Sequence, residues 1–224
     1  MMTGAIFDVD GTLLDSMGIW EHAGEMYLSR LGIRGEPRLG RILYPMSMEE
    51  GAAYLKEHYC LDQAVREITK GVSDTVRDFY FYQVNPKPGA MDFLKMLHAR
   101  GIPMSIATSS DRQVVEAAFN RLGMNRFFRG IFTCAQAGAG KSRPDVYELA
   151  LDSLGGADRG STWVFEDAFF AARTAGAAGF PVAGVYDSYS DSSQQRLKEA
   201  SDYYMKDFLD FEGFFKQAAE RGRP

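Results

Sequence analysis

The chain has 224 residues, 46% hydrophobic and 25% charged, and carries a net charge of −5 from 25 Lys and Arg against 30 Asp and Glu. That is long enough for one large domain, or for a core carrying a smaller insert, and apolar enough to bury a real core. No basic run tracks a nucleic-acid backbone, no apolar stretch approaches the ~20 residues that cross a bilayer, and Asp8 arrives too soon for a secretory signal, so the expected address is cytoplasmic, with neither nucleic-acid nor membrane partners.

Gly4-Ala5-Ile6-Phe7 is a short apolar run stopped by Asp8-Val9-Asp10-Gly11. It reads as a buried strand ended by a turn. Residues 15–85 give no convincing strand. Ile19, Trp20, Ala23, Met26, Tyr27 and Leu31 fall on one helical face, and Ser47 with Glu50 forms a capping-box pattern ahead of a second helix. Asp62 then opens a long helical pattern through Val65, Ile68, Val72, Val76 and Phe79. The breaker-rich Asn85-Pro86-Lys87-Pro88-Gly89 closes this stretch. The simplest organisation is an all-helical insert at 15–85 within a core built from 1–14 and 86–224.

From there strands and helices alternate. The runs at 103–108, 130–134, 162–165 and 181–185 are mostly apolar throughout, as strands covered on both faces are. Between them, 91–99 places Phe93, Leu94 and Leu97 on one helical side ahead of Gly101. A second helical pattern, 114–122, follows Ser110-Asp111 as cap and stops at Gly123, and a third, 146–154, starts behind Pro144. The alternation predicts an α/β fold with a doubly wound parallel sheet. Cys60 and Cys134 are far apart without metal-ligand spacing and read as two buried thiols, and His22, His58 and His98 are scattered over helical stretches.

The chemistry concentrates at strand ends. Asp8 and Asp10, separated by one residue, sit at the carboxyl edge of the expected sheet, where open α/β sheets bind ligands. A short acidic turn would look similar, but Gly11-Thr12-Leu13-Leu14 makes the string far more specific. The chain resembles the haloacid dehalogenase (HAD) superfamily, in the subclass with a helical cap inserted after the first motif, near the β-phosphoglucomutase-like branch. Asp8-Val9-Asp10-Gly11-Thr12 matches the first motif, Thr108 the second, Lys141 the third and Glu166-Asp167 the fourth, in the family's order.

That resemblance implies a Rossmannoid HAD core with an all-helical cap. It also implies a Mg²⁺-dependent phosphatase acting on a small phosphorylated metabolite through an aspartyl-phosphate. Asp8 would be the nucleophile and Asp10 the general acid and base. The metal ligands would be the Asp8 and Asp167 carboxylates, the Asp10 carbonyl and Glu166, directly or through water. Gly11, Thr108, Ser109 and Lys141 would hold the phosphoryl oxygens, with Lys141 contributing on the order of 10²- to 10³-fold in rate. The cap would select the leaving group, with Trp20, Tyr44, Met46 and Met48 as candidate contacts. The chain departs from the family in Ser142, where Pro often follows the lysine, and in Ala168-Phe169-Phe170-Ala171 after the fourth motif.

Rival readings fare worse. Residues 135–142, AQAGAGKS, fit a relaxed P-loop, but Ala135 replaces the first Gly, Pro144 interrupts the helix that should follow, and the first motif is left unexplained. A silent HAD-fold binding module would have lost Asp8, Asp10, Lys141 or Asp167, and haloacid dehalogenation has no use for Asp10. In a phosphoglucomutase the cap carries a His, a Trp and an Arg where this chain has Trp20, Gly24 and Met48. Water is therefore the expected phosphoryl acceptor.

Overall fold

A computed structural model describes residues 2–43, 46 and 48–221. The chain forms two compact units, residues 1–15 with 85–224 and residues 16–84.

The first unit begins with β1 (Gly4–Phe7), all four residues buried. After the return of the chain come α5 (Ala90–Ala99), β2 (Met104–Thr108), α6 (Arg112–Leu122), β3 (Phe128–Thr133), α7 (Cys134–Ala137), α8 (Asp145–Asp152), β4 (Thr162–Glu166), α9 (Phe169–Ala177), β5 (Val182–Val185), α10 (Gln194–Ala200), β6 (Tyr203–Met205) and α11 (Phe211–Arg221). The second unit holds α1 (Gly18–Arg30), α2 (Leu39–Leu43), α3 (Met48–His58) and α4 (Val65–Tyr82), with no strand among its described residues. Among the described residues no helix is long and apolar enough to cross a membrane.

The six strands are parallel and ordered β3-β2-β1-β4-β5-β6, the doubly wound α/β arrangement expected from the sequence. In register, Phe7 lies beside Ile106 on one side and Phe165 on the other. Because side chains alternate along a strand, the sheet separates its core by chemistry. Ile6, Ala107, Val164 and Val182 join Val146, Ala150, Ala172 and Leu197 of α8, α9 and α10 in a largely aliphatic cluster. Phe7, Trp163 and Phe165 point the other way into an aromatic cluster: Phe7 stacks on Phe165 at 4.3 Å, and Phe214 of α11 meets Trp163 at 5.0 Å and Phe93 of α5 at 5.4 Å. Burying a Phe in this way stabilises by roughly 1.5–3 kcal/mol.

Local signals end the helices as expected in α6. The Asp111 carboxylate accepts from the Gln113 N–H at 2.7 Å, and Gly123 follows with φ +68°. Several expectations need correction. Strand β3 covers 128–133 rather than 130–134, and Cys134 already opens α7. The three-residue β6 carries no apolar run and was invisible to pattern reading. Trp20 and Leu31 are exposed, and Gly24 and Leu28 take the buried face of α1 with Ile19, Ala23 and Tyr27. Helix α4 starts at Val65, where Glu67 reaches back to the Ala64 N–H at 2.8 Å, so the helix opens three residues after Asp62. Ser47 and Tyr44 lie outside the described residues. The thiols are not buried: Cys60 is exposed at φ +51°, where α3 gives way, and Cys134 is half-buried.

Candidate active site

The site is assembled by strand ends. Asp8 directly follows β1, Thr108 ends β2, and Glu166 ends β4 with Asp167 next. Since all strands run parallel, these ends share one edge, and β1 and β4 flank the point where the strand order reverses. Ligands bind there in doubly wound sheets because the loops diverge to opposite faces and leave a crevice. Lys141 comes from the loop between α7 and α8.

Carboxylate oxygens of Asp8, Glu166 and Asp167 all lie within 4.8 Å of one another, and all three residues are buried. Lys141, also buried, donates to Asp8 Oδ1 and, at 2.7 Å, to Glu166 Oε1. Tyr147 of α8 donates to the same Oε1 at 2.7 Å. Glu166 Oε2 is buried with no hydrogen-bond partner among the described residues. An unmet buried carboxylate oxygen is costly. Here it stands within a set of hard oxygen donors, the donor chemistry that suits a divalent cation such as Mg²⁺.

The electrostatics agree. Burial pushes the Asp8 carboxyl well above the usual range, Lys141 opposes this, and Glu166, Asp167 and Asp10 add to it. Burial and Glu166 push Asp167 up to about 7, against the pull of Lys141. Burial works against the Lys141 ammonium, yet Asp8 and Glu166 more than offset it and raise its pKa. Burial, then Glu166, likewise raise the Tyr147 phenol, keeping it a donor.

Asp10 stands apart from the three-carboxylate cluster, and its Oδ2 accepts from the Ser110 hydroxyl. Thr108 is buried, and its Oγ1 accepts from the Ser110 N–H at 3.0 Å, while the Ser109 hydroxyl lies 3.4 Å from Cys134 Sγ. Gly11 has φ +77°, a left-handed conformation that an L side chain resists, and its N–H closes the loop on the Leu14 carbonyl at 3.0 Å. Residues 134–137 are helical and α8 begins only at Asp145, so no P-loop forms around Lys141. Phe169 packs against the aliphatic cluster and Phe170 is exposed.

Sequence reading gave no role in the site to four hydroxyls: Ser110 and Tyr147, and Thr12 and Ser190, which donate to Asp167 Oδ1 at 3.3 Å and Oδ2 at 3.4 Å. Tyr147 had a signal, since a Tyr on the inward side of an apolar helix needs a partner for its hydroxyl.

A family model for haloacid dehalogenase-like hydrolases matches residues 5–185. The chain belongs to that family. Among curated proteins, the HAD chain is 28% identical over 182 residues to the fructose-1-phosphate phosphatase YqaB of Escherichia coli (strain K12), covering 81% of this chain and 95% of the relative. It is 25% identical over 191 residues to a phosphorylated carbohydrates phosphatase of Thermotoga maritima, covering 85% and 88%. A Thermotoga maritima crystal structure assigned as a β-phosphoglucomutase superposes with a TM-score of 0.85 at 24% identity, covering 96% of this chain and 99% of that one, a likeness of fold. With the family match and relatives of this kind, the chain is a HAD-type phosphatase.

Proposed function

We propose that this HAD protein is a Mg²⁺-dependent phosphatase that hydrolyses a small-molecule phosphate monoester through an aspartyl-phosphate on Asp8, with residues 15–85 as its helical cap domain. The observation that carries the reading is Glu166 Oε2, buried without a hydrogen-bond partner among the described residues, inside a cluster of three carboxylates. Asp8, Glu166, Asp167 and the Asp10 carbonyl would hold the cation. When bound, it supplies the positive charge that lets an anionic nucleophile approach a dianionic ester.

The chain's own groups do the rest. Asp8 attacks phosphorus, the P–O bond to the leaving group breaks, and the Asp10 carboxyl protonates the departing oxygen. Asp10, oriented by Ser110, then takes a proton from the water that cleaves the acyl phosphate, regenerating Asp8 and releasing phosphate. Lys141 holds Asp8 in place and presents a fixed charge to the phosphoryl oxygens. The open backbone at Gly11 and the donors of Thr108 and Ser109 complete the phosphate cradle.

The relatives are named for phosphorylated sugars, so sugar phosphates are the first substrates to assay. Phosphate release from a panel of sugar, polyol and nucleoside monophosphates is expected with magnesium and lost in chelator. β-Glucose 1-phosphate with a trace of the 1,6-bisphosphate should yield free phosphate. Isomerisation outrunning phosphate release would make the protein a mutase, and silence across the panel would leave it a binding module.

A further inference from the structure

Lys87 belongs to none of the motifs, yet it sits on the catalytic edge with its ammonium fully engaged. Nζ donates to Asp187 Oδ2 at 2.7 Å, to the Gly11 carbonyl at 2.8 Å and to the Tyr186 carbonyl at 2.7 Å. An ammonium has three hydrogens, and these acceptors use them all. The Lys87 and Asp187 side chains are 10% and 4% exposed. Ordering a Lys side chain costs rotamer entropy, and burying two charges costs their hydration, so a pair this enclosed needs good geometry and further hydrogen bonds. It has them: Asp187 Oδ1 accepts from the Tyr189 N–H at 2.8 Å, and the Asp187 carbonyl accepts from Gln194 Nε2 at 3.0 Å.

The clamp joins two loops, the one after β1 that contains Gly11 and the one after β5 that contains Tyr186 and Asp187. Each loop also aims one hydroxyl at Asp167. Thr12, next to Gly11, donates to Oδ1 at 3.3 Å. Ser190, whose N–H is bonded to the Asp187 carbonyl at 3.2 Å, donates to Oδ2 at 3.4 Å. Both oxygens of Asp167 are therefore oriented by groups whose separation Lys87 sets. Those two bonds are long, so a small drift of either loop breaks one of them.

We infer that Lys87 and Asp187 form a positioning pair that orients the Asp167 carboxylate for a divalent cation. The inference rests on the metal reading above. Groups behind metal ligands act by fixing orientation, and their loss costs about 10- to 100-fold in metal affinity. The pair is neutral as a unit, so removing both charges tests orientation and leaves the net charge near Asp167 unchanged.

The test is calorimetric titration of MgCl₂ into metal-stripped full-length protein, for the wild type, K87M/D187N, S190A and the triple variant, with circular dichroism confirming the fold. K87M/D187N should bind Mg²⁺ about 10- to 100-fold more weakly. S190A should weaken binding on its own and add little in the K87M/D187N background, because clamp and hydroxyl act through one carboxylate. Wild-type affinity in folded K87M/D187N overturns the inference and leaves the metal reading standing. If K87M/D187N does not fold, S190A decides: weaker binding supports the inference, and wild-type affinity overturns it. A wild type that binds no Mg²⁺ overturns the metal reading and this inference together.

Discussion

At the residue scale, charge at the buried edge does not balance: Asp8, Glu166 and Asp167 face the ammonium of Lys141, while the Lys87 ammonium is paired with Asp187. The imbalance has a measurable sign. Asp167 rises from an ordinary value of 3.8 to about 7, chiefly through burial and Glu166. Without metal, the folded chain therefore keeps a proton that the unfolded chain releases above about pH 4. Its contribution to stability is present in acid and is lost as the pH climbs through about 7. A carboxylate ligand must be ionised, so Mg²⁺ uptake at about pH 6 should expel protons, with less release as the pH rises. Titrations in two buffers of different ionisation enthalpy measure this, and identical heats at about pH 6 would contradict it. The three carboxylates behind this charge pattern were legible in the sequence because each sits at a strand end, where type and order carry meaning. Ser110, Ser190 and Lys87 were not. A hydroxyl or ammonium gains its role from a partner up to 100 residues away, as Lys87 does from Asp187, and only the folded chain supplies that partner.

At the element scale, α1 and α2 approach so closely that side-chain volume decides their packing. A Cβ at Gly40 would stand 1.9 Å from the Glu21 carbonyl oxygen, which is backbone and cannot rotate aside. Gly40→Ala should therefore destabilise the protein by about 1–3 kcal/mol or more, as overpacking does. Gly18→Ala, with nothing within 4 Å of the added carbon, is the control and should be close to neutral. Denaturant titration of both variants checks this, and equal stability would show that the helices shift apart at little cost. Pattern reading found β1 to β5 and α5, α6 and α8, each with an apolar stripe or run, and gave no reading of α9, α10 and α11. It lost β6, whose Tyr203 and Tyr204 are only half-buried, and it put Trp20 on a face where hydropathy alone suggested burial.

At the scale of the whole molecule, one parallel sheet brings Asp8, Thr108, Glu166 and Asp167 to one edge from positions up to 159 residues apart, and α7, α8 and their loop add Lys141 and Tyr147. The order β3-β2-β1-β4-β5-β6 places Asp8, the proposed nucleophile, at the reversal point, where doubly wound sheets bind ligands. That role for Asp8 is tested most directly by quenching the enzyme during turnover, reducing it with borohydride and mapping its peptides by mass. An acyl phosphate on aspartate is reduced to homoserine under these conditions. The account predicts homoserine at position 8, dependent on substrate and magnesium, and neither homoserine nor phosphate release in Asp8→Asn. Phosphate release without a trapped residue at position 8, or continued turnover by Asp8→Asn, would contradict it.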